Sequence, residues 1–291
     1  MSTNQQYNSS VFALLFGEKD KLLELYNAIE GTNYGPETEI EINTLERVLY
    51  MGRYNDISFT IEGRYVVLFE HQSSINENMP LRALIYIGRI YEKIIDNKAI
   101  YQEKLLKIPA PEFYVLYNGV KDYPPDSIQK LSNAFLEFSD ALELKVRVIN
   151  INYKKTSTVL EKSETLKGYS YFVNCAREYR SNGMSLEDSV ELAVRKCIKE
   201  GVLKQFLESH ASEVVNMLFT EFDMDVALQV REQEGMERGI ELGHKQGLEQ
   251  GLKQAKYQIA ENLFGYMDVK TIAKNTGLSI KEVEELKKLP S

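Results

Sequence analysis

The chain has 291 residues, 43% of them hydrophobic, and carries a formal net charge of −8. This composition supports a sizeable core, and the acidic balance argues against a broadly cationic nucleic-acid binder, although a local basic patch can still bind DNA in a salt-sensitive way. The sequence contains no apolar run of membrane-spanning length and no signal-peptide pattern, so we expect no membrane partner and a cytoplasmic location. The two cysteines, Cys175 and Cys197, lack zinc-ligand spacing and are expected in the core.

The first predicted element is helical and covers residues from about 9 to 30. Apolar residues recur there at helical spacing, and Gly17 marks a possible break because glycine disfavours helix interiors. The pattern then becomes strand-like, since two segments rich in β-branched and aromatic residues follow at 54–59 and 66–72.

Those two segments predict a β-hairpin with a tight turn at Glu62-Gly63-Arg64. If Gly63 is the centre of the turn, Asp56 and Glu70 lie seven residues to either side of it and face each other across the strands. Their Cβ atoms would be roughly 5 Å apart. Two such carboxylates repel each other unless a cation lies between them, and Mg²⁺ takes carboxylate oxygens. The hairpin therefore suggests a metal-dependent hydrolase, with ordinary solvent-facing acids as the alternative.

Alternation of side chains along the strands predicts two different faces for this hairpin. The core face carries Ile57, Phe59, Ile61, Val67 and Phe69. The opposite face carries Asp56, Ser58 and Thr60 on one strand, and Leu68, Glu70 and Gln72 on the other. Gln72 therefore shares a face with both acids.

A helix is predicted over 79–95, directly after the hairpin. A buried stripe at helical spacing comprises Leu84, Ile87, Tyr91 and Ile94. A second face carries Arg82, Tyr86, Arg89 and Lys93. Basic side chains with an interleaved tyrosine could contact a phosphate backbone near the metal. A solvated amphipathic face is the alternative.

Two further strands are predicted at 112–119 and 144–153, the first ending in an Asn-Gly turn signal. A hairpin, a helix and two more strands indicate an α/β core with a mixed sheet. Lys154 and Lys155 follow the last strand and could touch a phosphate backbone, although exposed lysines at a strand end are common.

The second half of the chain is predicted to be helical, beginning with an extension from about 166 to 230 that packs on the core. Ser185 is a plausible helix cap within it. A repeat follows, in which glycine recurs at every fourth residue, namely at Gly235, Gly239, Gly243, Gly247 and Gly251. Because glycine is costly in an isolated helix, the repeat predicts either a self-association helix whose backbones approach closely or a flexible linker.

The last segment, 259–291, predicts two short helices arranged as in a helix-turn-helix. Ser279 would cap the second of them, with Glu282 completing a capping box. That helix carries glutamates and lysines in similar numbers, which is a poor surface for phosphate. A packing or partner module is therefore favoured over a DNA-reading one.

Together these residues resemble the PD-(D/E)XK nuclease superfamily and, within it, the Rpn family of recombination-promoting nucleases, also described as putative transposases. The resemblance rests on the ordered set Asp56, then Glu70-His71-Gln72, then Arg82-Ala83-Leu84-Ile85-Tyr86. Segments 11–17 and 166–172 are also similar to that family, so the resemblance covers nearly the whole chain. It implies a restriction-endonuclease-like α/β core with a mixed sheet, followed by an α-helical C-terminal extension.

Carried over residue by residue, the resemblance implies that Asp56 and Glu70 bind Mg²⁺, with Mn²⁺ or Ca²⁺ possible, and that the backbone carbonyl of His71 completes the protein ligands. Gln72 stands where the superfamily often has lysine, and glutamine can orient a water but supplies no charge. A first-helix acid is also expected, with Glu18 as the candidate and Glu24 as the runner-up.

The sequence thus predicts a nuclease-like core over 1–160, a helical extension over 161–230, a glycine-repeat helix or linker over 231–258 and a helix-turn-helix-like segment over 259–291. The predicted activity is metal-dependent hydrolysis of DNA phosphodiester bonds, linked by resemblance to recombination or mobile elements. DNA is the expected partner, contacted by Arg82, Tyr86 and Arg89, and the C-terminal helices are expected to form a homo-oligomer. The alternatives are a catalytically inactive DNA-binding or regulatory oligomer on a nuclease fold, and a scaffold assembled through the glycine helix.

Overall fold

The computed structural model describes residues 10–42, 56–96, 98–155 and 157–288. The chain divides into two compact units, Met1–Asp225 and Val226–Ser291. None of the helices in the described ranges combines the length and apolar character needed to cross a membrane.

The N-terminal helical region consists of two helices, α1 (Val11–Phe16) and α2 (Lys19–Glu30). Ser10 caps α1 by accepting a hydrogen bond from the Ala13 amide. The helix stops at Gly17, and a new helix begins two residues later, so the predicted break is confirmed.

The centre of the first unit is a six-stranded mixed sheet in the order β1-β2-β3-β4-β6-β5. The strands are β1 (Ile40–Ile42), β2 (Asp56–Ile61), β3 (Tyr65–Gln72), β4 (Ala110–Tyr117), β5 (Asp126–Lys130) and β6 (Lys145–Asn150). Strands β3, β4 and β6 run parallel, and the remaining pairs are antiparallel. The predicted α/β class with a mixed sheet is therefore confirmed. The sequence patterns did not predict β1 or β5, which are short strands at the two edges.

The predicted hairpin and its register are also confirmed. Asp56 pairs with Glu70, and the pairing continues to Ile61 opposite Tyr65. In the turn, Glu62 and Gly63 have φ values of 49° and 62°. Glycine adopts this left-handed conformation without a steric cost, which explains why the turn centres on Gly63.

Apolar residues pack on both faces of the sheet. Ile57, Phe59, Val67 and Phe69 belong to a large core cluster, as predicted for that face of the hairpin. On the opposite face, a second cluster includes Val66, Leu68, Val115, Tyr117, Val146 and Val148. Strand β3 is consequently buried along nearly its whole length, as is typical of strands in covered parallel sheets.

Helix α3 (Met79–Ile94) covers the second cluster with a stripe that agrees only in part with the predicted one. Ile87 is buried as predicted, and Leu84 and Tyr91 pack partly buried against the cluster. Its buried residues are Met79, Pro80, Ala83, Tyr86, Ile87 and Ile90. Ile94, predicted to be buried, is 43% exposed, and Tyr86, predicted on the DNA-facing side, is buried. The helix also carries the exposed Leu81 and Ile85, so apolar residues occupy several faces and spacing alone could not identify the buried one.

The remaining helices are α4 (Thr158–Lys162), α5 (Glu164–Ser181), α6 (Leu186–Glu200), α7 (Lys204–Asn262), α8 (Val269–Thr276) and α9 (Ile280–Lys288). Helices α5, α6 and the first turns of α7 contribute Leu166, Phe172, Ala193, Leu207 and Val214 to the large core cluster. The predicted cap at Ser185 is confirmed by its hydrogen bond with the Asp188 amide. Cys175 and Cys197 are buried free thiols, as expected.

In the second unit, the glycine repeat is helical, since α7 extends through it to Asn262. The described side chains from 236 to 256 are all exposed. A small core then joins the end of α7 to α8 and α9, through Ala260, Ile272, Ala273, Leu278 and Val283. The predicted capping box is confirmed: the Ser279 amide donates to Glu282 at 2.8 Å, and the Glu282 amide donates to the Ser279 hydroxyl at 3.2 Å.

Candidate active site

Glu70 lies near the end of β3, and its side chain is only 7% exposed. Its Oε1 atom accepts a hydrogen bond from Gln72 Nε2 at 2.5 Å and forms an ion pair with Arg82 Nη2 at 2.8 Å. Because a buried carboxylate is costly unless it is paired, these two contacts explain how a charged side chain is tolerated in this position. They also bring together three of the predicted site residues.

The first two turns of α3 hold the polar side chains around Glu70. Arg82 Nη2 also donates to the Tyr86 hydroxyl at 3.1 Å, and its guanidinium lies 5.8 Å from the centre of the Tyr86 ring. Gln72 Nε2 lies 3.0 Å from the sulfur of Met79. Tyr86 is therefore a support for Arg82, in addition to being part of the core. Arg89, the third predicted DNA contact, is half-buried farther along the same helix.

Asp56 occupies the register position opposite Glu70, at the first residue of β2. Paired positions in an antiparallel ladder place Cβ atoms roughly 5 Å apart. Ser58 follows on the same face of β2, because side chains alternate along a strand. It is 2% exposed, and its hydroxyl has no hydrogen-bond partner within the described residues.

The His71 side chain lies on the other face of the sheet. Its ring stacks on Phe12 at a centroid distance of 5.1 Å, and its Nε2 atom is 3.2 Å from the Tyr169 hydroxyl. Burial, together with the positive charge of Arg177, lowers the pKa of His71 to about 3, so the imidazole is neutral near pH 7. Only the backbone of His71 is thus left for the predicted metal contact.

A polar cluster that the sequence did not predict joins the ends of β4 and β6 to α5. Arg177 Nη1 donates to the side-chain oxygens of Asn118 at 2.9 Å and Asn152 at 3.0 Å, and Nη2 donates to the Asn118 carbonyl. A Cβ on Gly119 would clash with the Ser73 carbonyl oxygen, so only glycine fits there. The Asn-Gly turn signal identified this corner, but nothing in the sequence connected it to Arg177.

The two candidate first-helix acids have structural contacts. Glu18 precedes α2 and forms an ion pair with Lys21 at 2.7 Å. Glu24 accepts hydrogen bonds from the Thr165 amide at 3.0 Å and from the Ser163 hydroxyl at 2.7 Å. Glu24 thereby stabilises the N-terminus of α5, where negative charge is favourable. A catalytic role for Glu18 stays a prediction.

The lysines after β6 are engaged in exposed ion pairs. Lys154 lies 3.0 Å from Glu178, and Lys155 lies 2.6 Å from Asp122. Exposed pairs of this kind contribute little to stability. The positions of the two lysines are those of ordinary exposed residues after a strand end, which was the alternative to a phosphate contact.

The donor set fits a hard cation in its chemistry. Two carboxylates and water are ligands that Mg²⁺ prefers, and Glu70 with the register position of Asp56 supplies such a pair. Within the described side chains, which do not include that of Asp56, no group of three His, Cys, Asp or Glu residues is placed to hold a metal ion.

No protein-family model, no curated protein and no solved structure matches this chain.

Proposed function

We propose that the protein is a metal-dependent DNA endonuclease that hydrolyses phosphodiester bonds, on a core of the PD-(D/E)XK type resembling the Rpn family and linked to recombination or mobile elements. The observation that supports this proposal is the pairing of Asp56 with Glu70 across β2 and β3. It lies in a mixed sheet, with Gln72 and Arg82 both in contact with Glu70.

In this proposal, Asp56, Glu70 and the backbone carbonyl of His71 hold Mg²⁺, for which Mn²⁺ or Ca²⁺ could substitute. When bound, the cation would polarise the scissile phosphate and lower the pKa of an attacking water. Gln72 orients that water through its amide but adds no charge. Arg82 supplies a positive charge beside Glu70. In the superfamily that this chain resembles, a lysine at the position of Gln72 often supplies that charge.

DNA would approach along the row of α3 that carries Arg82 and Arg89. Arg82 and Arg89 are the proposed phosphate contacts, since arginine binds phosphate oxygens in a fork-like geometry. Because Tyr86 is buried and accepts a hydrogen bond from Arg82, we assign it the task of holding Arg82 rather than contacting DNA.

Plasmid cleavage tests the proposal directly. The purified protein should nick or linearise plasmid with Mg²⁺ or Mn²⁺, and EDTA should abolish the cutting. Asp56→Asn and Glu70→Gln should each reduce cutting at least about 100-fold, since each removes a charge from the metal site. Glu62→Gln is the matched control, because Glu62 is an exposed acid in the turn of the same hairpin.

Equal cutting by wild type and both site variants would refute the assigned site. Absence of cutting by the wild type, under conditions where its circular dichroism shows a folded protein, would favour the second candidate function. That candidate is a catalytically inactive DNA-binding or regulatory homo-oligomer. The observation in its favour is the exposed glycine helix, whose side chains described between 236 and 256 are all exposed.

A further inference from the structure

The Ser58 hydroxyl is a polar group that the fold itself does not explain. The residue is 2% exposed, and its Oγ atom has no hydrogen-bond partner within the described residues. Burying a hydroxyl without a partner opposes folding, and buried polar groups in proteins are nearly always hydrogen-bonded. Such a group therefore calls for an unseen water, ion or ligand as its partner.

The position of Ser58 relates it to the candidate acids. On β2 it lies two residues after Asp56, which puts both at register positions of one face. Across the ladder it pairs with Leu68, which lies two residues before Glu70 on β3. Ser58 and Glu70 are therefore diagonal neighbours, whose Cα atoms are roughly 7 to 8 Å apart. One water can bridge two side chains at this distance.

The apolar surroundings make serine a poor choice for packing alone. Val66 and Leu68, on the same face of the hairpin, belong to the second core cluster. Alanine would fill the volume of Ser58 without burying a hydroxyl, and valine would suit a strand better. The hydroxyl is thus the feature of this side chain that requires a function.

We propose that Ser58 is a positioning residue for the metal site, where its hydroxyl binds a water of the hydrated cation held by Asp56 and Glu70. This inference rests on the proposed function. Mg²⁺ and Mn²⁺ at carboxylate sites keep several waters, whose protons need acceptors, and a serine oxygen can accept them. Partners at this distance from a metal typically change its affinity by 10–100-fold.

Metal titration of the full-length protein tests this assignment. Isothermal calorimetry with Mn²⁺ should show binding about 10-fold weaker for Ser58→Ala and for Ser58→Cys, which keeps the volume but bonds weakly. Ser58→Thr, which restores a hydroxyl, should bind more tightly than either. In the absence of metal, the thermal midpoint of Ser58→Ala should equal or exceed that of wild type, because a buried unpaired hydroxyl has been removed.

Ser170→Ala is the matched control. Ser170 is also buried, but its hydroxyl donates to the Ile151 carbonyl at 2.5 Å, so its loss should lower the thermal midpoint and leave Mn²⁺ affinity unchanged. Unchanged affinity in Ser58→Ala, together with loss of binding in Asp56→Asn, would overturn the role of Ser58 while leaving the metal site intact. Absence of Mn²⁺ binding in the wild type would overturn the metal site and, with it, this inference.

Discussion

Adjacent residues of β3 make different contacts on the two faces of the sheet. Glu70 faces α3 and is held by Gln72 and Arg82. The next residue, His71, faces the other core and meets Phe12 and Tyr169. Because side chains alternate along a strand, these two adjacent residues lie in different environments. Glu70 lies in a charged site, and the neutral imidazole of His71 lies in the core on the other face.

His71 should give the protein a measurable pH dependence of stability. Its pKa is lowered from 6.5 to about 3 in the folded state, so the unfolded chain takes up a proton below about pH 6.5 that the folded chain does not. Stability contributed by the neutral ring is complete above pH 6.5 and is lost as the pH falls toward 3. The slope from this one group approaches about 1.4 kcal/mol per pH unit.

Urea unfolding of wild type and His71→Gln between pH 7 and pH 5 measures this contribution. The free energy of unfolding of the wild type should fall more steeply with decreasing pH than that of His71→Gln. His244→Gln, at an exposed position of α7, is the control and should follow the wild type. Parallel curves for wild type and His71→Gln would contradict the assignment of a buried, neutral His71.

Among the secondary-structure elements, the hairpin was predicted more completely from the sequence than α3. The hairpin register was predicted from the position of the turn and from the alternation of side chains along the two strands. A shift by one residue would send every apolar side chain to the wrong face. Helix α3 has apolar residues on several faces, and its buried side was decided by the sheet beneath it. Tyr86 was consequently predicted on the wrong side of its helix.

The glycine repeat makes a prediction that belongs to α7. A Cβ placed on Gly243 or Gly247 meets no atom within 4 Å in the single chain. Replacing both by alanine should stabilise the isolated helix by about 1 kcal/mol per site. If two copies pack closely along the glycine row, as we propose for the homo-oligomer, the same methyl groups should weaken association.

Analytical ultracentrifugation and thermal unfolding separate these two effects. Gly243→Ala combined with Gly247→Ala should shift the protein toward monomer while raising the thermal midpoint of the monomer. The matched control, Gln246→Ala with Gln250→Ala, changes exposed residues on a neighbouring row of the helix and should leave the mass unchanged. An unaltered mass in the glycine variant would show that this row is not the contact.

For the molecule as a whole, the net charge of −8 limits how DNA can bind. Attraction to phosphate must come from a local group of basic residues, and we propose the row of α3 that carries Arg82 and Arg89. Binding should then be weak and should fall steeply with salt, because it depends on the release of counterions from DNA.

Fluorescence anisotropy with labelled duplex DNA and the Glu70→Gln variant, used to prevent cutting, tests this prediction. Arg89→Ala in that background should reduce the slope of log K against log salt by about 0.9, the value for one phosphate contact. Lys130→Ala changes an exposed lysine on β5 at the sheet edge and should leave the slope unchanged. Equal slopes for all three proteins would remove Arg89 from the DNA-binding surface.

Patterns in the sequence were enough to predict the class of the fold, the hairpin with its register, the break at Gly17 and the capped helices at Ser185 and Ser279. These features depend on local rules, since turn chemistry, strand alternation and helix capping act over a few residues. The sequence also identified Asp56, Ser58, Glu70 and Gln72 as sharing one face of the hairpin.

Contacts between groups that are distant in the chain depend on how the helices pack on the sheet, and the sequence patterns did not predict them. Arg82 contacts Glu70 because α3 packs across the second core, and Arg177 reaches Asn118 and Asn152 because α5 packs on the other side of the sheet. Burial also required the whole fold, since it depends on what covers each face. Ser58 appeared in the sequence as one polar residue among several, and it became a candidate for function only when its hydroxyl proved to be buried without a partner among the described residues.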